Sequence, residues 1–124
     1  MLILLIDITE PKALQFFWSG KKTVYRGERL NLLICLDQWL KKNKLGWPDI
    51  SGLVLIEGGG TFTGVRLAAT ILNTIHLITG VPVAGLDKRK FSHWEEIVAE
   101  SEKVFNKKTG YIKPIYSGEP NITL

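Results

Sequence analysis

The chain has 124 residues, enough for one domain, and 45% of them are hydrophobic, which favours a packed core over disorder. Its 16 basic and 12 acidic residues leave a net charge of +4, an excess too small to indicate nucleic-acid binding by itself. The single cysteine, Cys35, excludes an internal disulfide, and no apolar run approaches the ~20 residues of a membrane helix, so we expect a cytoplasmic protein.

The first part of the sequence predicts three strands in an antiparallel meander. Residues 2–8 form a continuous apolar run that ends in Asp-Ile-Thr, which is typical of a central strand buried on both faces. An aromatic strand is predicted over 13–18 and a short strand over 23–26, and a hairpin turn at 19–22 joins them.

A helix is predicted over 29–44, because its leucines recur at helical spacing. Leu33, Leu36 and Leu40 share one face of this helix. The apolar run that follows at 50–56 has no polar break, so it predicts a second central strand, parallel to the first.

The next predicted helix, 64–79, is apolar around most of its circumference. One line along it consists of Val65, Ala68, Ala69, Leu72 and Ile75, and another of Leu67, Ile71 and Ile78. Such a helix must be covered on more than one face, by the sheet on one side and by a neighbouring helix or a partner on the other. A fifth strand is predicted over 81–86, and Ser92 with Glu95 predicts a capping box that opens a third helix.

The order of predicted elements, βββαβαβα, is the pattern of a ribonuclease-H-like α/β fold with a mixed five-stranded sheet. Right-handed crossovers place the first, fourth and fifth strands side by side in parallel. We expect one domain over residues 1–110. We expect the remainder, 111–124, to be an extended tail that packs through Tyr111, Ile115 and Tyr116.

A glycine-rich stretch lies between the fourth predicted strand and the second helix. Glycines in this position can aim backbone amides at an anion. Gly59 and Gly64 have the spacing of a P-loop, but Val65 and Arg66 stand where that motif needs lysine and a hydroxyl residue. Generic phosphate binding and a purely structural turn both stay open.

This stretch resembles the Gly-Pro-Gly-Ser-Phe-Thr-Gly-Leu/Val-Arg signature of the bacterial TsaB (YeaZ) family. The matching positions are Gly58, Gly59, Gly60, Thr61, Phe62, Thr63, Gly64, Val65 and Arg66. Gly59 replaces the family's proline and Thr61 its serine, while the other seven positions fit. The Asp7-Ile8-Thr9 strand end is also similar to the family's opening strand, and the resemblance covers roughly residues 1–90.

The resemblance implies the first lobe of a two-lobed, non-catalytic subunit without a cofactor. In the family, this subunit holds TsaD, which transfers threonylcarbamoyl to an adenosine beside the tRNA anticodon, and the ATPase TsaE joins the complex. A heterodimer with a TsaD-like protein is thus expected, with tRNA contacted only indirectly, and a homodimer when the chain is alone. The expected helical contact consists of Leu33, Leu36, Leu40, Ile71, Leu72 and Ile75.

Three carboxylates support a rival interpretation. Asp7, Glu57 and Asp87 each end or follow a predicted parallel strand, so they are expected to be neighbours. Three carboxylates at such an edge could bind two divalent metal ions for phosphodiester cleavage, which predicts a nuclease. The alternative is that they are solvated strand ends. His76 and His93 do not have the spacing of a metal-binding pair, and no nucleophile and base pattern is apparent.

Overall fold

The computed structural model of the chain describes residues 2–58 and 62–105, without the side chains of 62 and 63. Its strands are β1 (Ile3–Asp7), β2 (Ala13–Trp18), β3 (Lys21–Arg26), β4 (Gly52–Glu57) and β5 (Val83–Asp87). Its α-helices are α1 (Leu32–Lys42), α2 (Phe62–Thr79) and α3 (Trp94–Val104). The predicted tail over 111–124, and with it the domain end at 110, lies outside the described residues.

The strands form one mixed sheet in the order β3-β2-β1-β4-β5. β1 pairs in parallel with β4, and β4 with β5, whereas β2 is antiparallel to both of its neighbours. Every residue of β4 is buried, as a strand covered on both faces requires. The predicted α/β fold class, with a mixed five-stranded sheet and central first and fourth strands, is confirmed.

The hairpin between β2 and β3 is tighter than the sequence predicted. Ser19 and Gly20 both have positive φ angles, of 52° and 75°, which is the backbone of a two-residue turn matched to the twist of the strands. β3 therefore starts at Lys21, opposite Trp18, rather than at residue 23.

One face of the sheet is covered by α1 and α2, which bury the larger part of the core. α1 begins later than predicted, because the Asn31 side chain accepts a hydrogen bond from the Ile34 N–H at 3.1 Å and caps the helix there. The buried stripe consists of Leu32, Cys35, Leu36, Trp39 and Leu40.

The other face is covered by α3, whose Ile97 is buried against β1, β4 and β5. The predicted capping box is wrong. The N-cap is His93, without a side-chain cap bond, because the helix begins at Trp94 and Ser92 lies one position too early. At its other end, the Phe105 ring lies against Gly52, where a Cβ atom would collide with it.

Candidate protein-binding site

A groove of about 350 Å³ lies between the starts of α1 and α2 and the turn that follows β1. Its apolar lining includes Leu30, Leu32, Leu67 and Ile71. Leu67 in this lining is 59% exposed, and Ile34 on the first turn of α1 is 55% exposed. Exposed apolar groups that adjoin one another in this way are a feature of surfaces that bind other proteins.

The two apolar lines of α2 have different surroundings. Val65, Ala68, Ala69, Leu72 and Ile75 are all buried beneath the helix. On the opposite side Leu67 and Ile78 are exposed, and Ile71 is partly buried between them. The sheet and α1 therefore cover one predicted line, and the described part of the chain leaves the other line largely uncovered.

The six predicted contact residues divide between this surface and the core. Leu33 is 50% exposed on the first turn of α1, and Ile71 lines the groove. The other four are core residues instead, because they are enclosed by the sheet and by one another and offer little surface to a partner. They are Leu36, Leu40, Leu72 and Ile75. Whether a partner binds stays a prediction.

The sequence prediction missed Ile34 and Leu77 as surface residues, although Leu77 is 67% exposed. Helical spacing was a signal for Ile34, because this residue lies roughly 200° around the helix axis from Leu36. Positions 33 and 34 both fall outside the buried stripe of α1. We define the helical face as the exposed or partly exposed apolar side chains of α1 and α2: Leu33, Ile34, Leu67, Ile71, Leu77 and Ile78.

The glycine-rich signature lies at the joint between β4 and α2. Gly58 is buried with a φ angle of +110°, and a Cβ atom there would collide with the Asp87 carboxylate. α2 begins at Phe62, followed by exposed Gly64 and by Val65 in the core. Arg66 is partly buried on the same turns, and residues 59–61 lie outside the described residues.

The three strand-end carboxylates are neighbours, as predicted. Asp7 lies opposite Ile56 in the sheet, and Glu57 lies opposite Asp87. All three are buried, and the ion pairs of Asp7 and Asp87 are with Lys88 and Arg89. Asp7 accepts hydrogen bonds from the Thr9 N–H at 2.8 Å and from Lys88 Nζ at 3.3 Å.

Asp87 is held by Arg89, which donates from its backbone N–H at 3.0 Å and from its side-chain Nε at 3.0 Å. The side-chain hydrogen bond is the largest cause that lowers the pKa of the Asp87 carboxyl below its ordinary value, although burial opposes it. Lys88 and Arg89 thus occupy oxygens that a metal ion would need. Within the described ranges, no three carboxylate, histidine or cysteine side chains are arranged to hold a metal.

The remaining candidate groups serve the core. His76 Nδ1 lies 2.8 Å from the Val81 carbonyl oxygen, so this histidine has a hydrogen-bond partner within the domain. Cys35 is buried, and burial raises the pKa of its thiol, so little reactive thiolate forms at neutral pH.

No helix in the described part of the chain combines the length and apolarity needed to cross a membrane.

Comparisons with known proteins bear on the fold. No protein-family model and no curated protein matches the chain. Solved structures with the same fold include YeaZ from Pseudomonas aeruginosa, at 18% identity and a TM-score of 0.55. Another, at 20% identity and a TM-score of 0.56, is described as an uncharacterized protein with similarity to peptidase YEAZ from Pseudomonas aeruginosa.

Both matches cover 69% of this chain and 43% of the solved chain. The chain therefore spans less than half the length of the two structures that it matches. At these identities the likeness establishes the fold.

Proposed function

We propose that this chain is a TsaB-like accessory subunit that binds a TsaD-like threonylcarbamoyl transferase and supports tRNA modification without catalysing it. Three independent features support the proposal. The segment 58–66 carries the signature described above, the fold is that of the YeaZ structures, and the two helices of this lobe present an apolar surface.

The helical face is the observation that carries the proposal. Leu67, Ile71 and Ile78 recur at intervals of four and seven residues, so they form one line along α2. Leu33 and Ile34 are exposed on the first turn of α1, next in sequence to Leu32, which lines the groove. An apolar line beside an apolar groove suits the packing of another helix against it, in which i, i+4 and i+7 side chains act as anchors.

The strand-end groups support an accessory rather than a catalytic role. The oxygens of Asp7 and Asp87 are engaged by Thr9, Lys88 and Arg89 within the same domain. Carboxylates tied up in this way strengthen the edge of the sheet, and they would have to exchange these partners before they could bind a metal ion or activate water.

The test is co-expression of the tagged chain with the TsaD-like protein of the same genome, followed by affinity purification and mass determination. We expect a one-to-one heterodimer. Leu67→Glu places a charge on the helical face and should reduce recovery of the partner by more than about tenfold, because a buried unpaired charge costs well over ~1.4 kcal/mol.

The matched control is Val98→Glu, which puts the same charge on an exposed apolar position of α3, on the opposite side of the sheet. This variant should keep the partner, and both variants should keep the urea midpoint of the unaltered chain. Failure of the unaltered chain to associate, or equal loss in both variants, would contradict the proposal. Manganese-dependent RNA cleavage that disappears in Asp7→Asn would replace it with the nuclease function.

A further inference from the structure

The basic residues of the described chain divide between two ends of the sheet. At the edge where β1, β4 and β5 end, they alternate with acids and form ion pairs. These pairs are Lys12–Glu28, Arg26–Glu10, Lys88–Asp7 and Arg89–Asp87. These four pairs carry no net charge, and the exposed cations Arg29 and Lys90 lie at the same edge.

The opposite edge, where β1 and β4 begin, gathers lysines from three separate elements. The hairpin places two at the start of β3, α1 has two in its last turn with a third just beyond its C-cap, and α3 has one in its last turn. We call this group the lysine end, and its members are Lys21, Lys22, Lys41, Lys42, Lys44 and Lys103.

Two contacts show that these elements meet. The Trp18 ring at the end of β2 lies 5.6 Å from the Trp39 ring in α1, and Lys21 is paired with Trp18 across the hairpin. On the other side of the sheet, a groove of about 920 Å³ is lined by both Lys21 and Glu102, so the hairpin also adjoins the last turns of α3.

Most lysines of the lysine end make no ion pair with the described residues, although the acid Glu102 lines the same groove as Lys21. Lys41 pairs with Asp37 at 2.9 Å, and the other five lysines make no ion pair within the described ranges. The nearby acid Asp49 accepts a hydrogen bond from the Gly46 N–H instead. Lysines at the ends of α1 and α3 also complement the helix dipoles, but this reason does not apply to Lys21 and Lys22 on a strand.

The composition of this end favours nucleic acid over protein as the partner. All six cations are lysines, which are depleted in protein–protein interfaces, where arginine is enriched. Two tryptophans are close to these lysines in the sequence, Trp18 before the hairpin and Trp47 in the short 3₁₀ turn after α1, and both are partly buried against the core. Lysines that track a phosphate backbone, combined with aromatic rings on which bases stack, are the elements of single-stranded nucleic-acid binding.

We propose that the lysine end binds the phosphate backbone of an RNA that has unpaired bases. This inference goes beyond the proposed function, in which the transferase contacts tRNA. The lysine end is also separate from the groove between the starts of α1 and α2. Each lysine that neutralises a phosphate releases a counterion, so the binding should weaken steeply with salt.

The test uses the full chain and a fluorescein-labelled oligouridine of about 12 nucleotides, followed by fluorescence anisotropy at several salt concentrations. Lys21→Gln with Lys42→Gln removes one charge from the hairpin and one from α1. We expect this pair to reduce affinity about 25-fold at ~0.1 M salt and to reduce the slope of log K against log salt by about 1.4, at ~0.7 per phosphate contact.

The control pair, Arg29→Gln with Lys90→Gln, removes the same net charge from exposed positions at the other edge of the sheet. It should change affinity less than about threefold, as expected if the contact is local rather than a response to net charge. Equal losses in the two pairs, or no measurable RNA binding by the unaltered chain, would overturn the proposal. Equal affinity for a labelled polyglutamate peptide would overturn the choice of RNA in favour of an acidic protein.

Discussion

At the scale of single residues, the joint between β4 and α2 depends on one glycine. Gly58 is the first residue of the signature, and its φ angle of +110° lies in a region that side chains disfavour. The absence of a side chain also leaves room for Asp87 and Arg89 to close over the end of β4. The glycine is therefore required by its surroundings as well as by its backbone.

Gly58→Ala should destabilise the domain by more than about 2 kcal/mol, because backbone strain adds to the collision with Asp87. Urea denaturation followed by circular dichroism measures this. Gly20→Ala is the control, since Gly20 also has a positive φ angle but has nothing within 4 Å of the added methyl group. A cost for Gly58→Ala no larger than that of the control would show that the Asp87 contact is unimportant.

The ion pair between Asp87 and Arg89 makes a second prediction, for acid stability. The pKa of Asp87 is lowered in the folded state, so its contribution is present above the unfolded pKa of about 4 and is lost as pH falls through the lower folded value. Asp87→Asn should thus be less stable than the unaltered chain at neutral pH. The difference between the two urea midpoints should shrink below about pH 4, and a constant difference would contradict the linkage.

At the scale of elements, the phase of each helix decides which apolar residues reach the core. α1 buries Leu32, Leu36 and Leu40 in the core, and α2 packs its small side chains into the same core cluster. Ala68 and Ala69 are buried, which lets α2 approach the sheet closely. The larger residues on its other side are left at the surface.

Two substitutions on α2 separate the core from the helical face. Ile75→Glu should destabilise the domain by more than about 3 kcal/mol, because a carboxylate would replace a side chain that is only 6% exposed. Ile78→Glu makes the same chemical change three residues later, where the side chain is 78% exposed, and should alter stability by less than about 0.5 kcal/mol. Thermal unfolding of both variants checks the assignment, and similar melting temperatures would refute it.

At the scale of the whole molecule, two apolar clusters lie on opposite faces of the same sheet. β1 contributes Leu4 to one cluster and Leu5 to the other, and β4 contributes Leu53 and Val54 in the same alternating way. The central strands β1 and β4 contribute to both clusters, so disruption of these strands would expose both clusters to water. A domain built in this way has a core of its own.

The chain should consequently unfold in one cooperative transition, although it spans less than half of the solved chains that it matches. Trp39 reports on one cluster and Trp94 packs against the other, and far-ultraviolet circular dichroism reports on the helices. The fluorescence and dichroism transitions in urea should coincide. Separate midpoints would mean that α3 is released before the helices on the other face.

The whole molecule also has two ends with different charge. Ion pairs balance the edge at which β1, β4 and β5 end, and unpaired lysines of the described chain mark the edge at which β1 and β4 begin. The helical face runs between these two edges along α2. A partner on the helical face and an RNA at the lysine end could therefore bind together, and each surface has its own test.

The sequence by itself determined the order of the elements, the two central strands and the nearness of the three carboxylates. Unbroken apolar runs and a glycine-rich joint are local features, and the right-handed crossover rule converts their order into a sheet. The two apolar lines of α2 could also be predicted from the sequence, because helical periodicity gives the angular position of each residue around the helix axis.

Only the tertiary structure decided which line faces inward, because periodicity gives relative angles and not the side on which the sheet lies. It moved Leu72 and Ile75 into the core, and it left Leu67 and Ile78 outside. The lysine end likewise arises from elements that are distant in the sequence, since the contact of Trp18 with Trp39 joins the β2–β3 hairpin to α1. Long-range packing of this kind has no local signal.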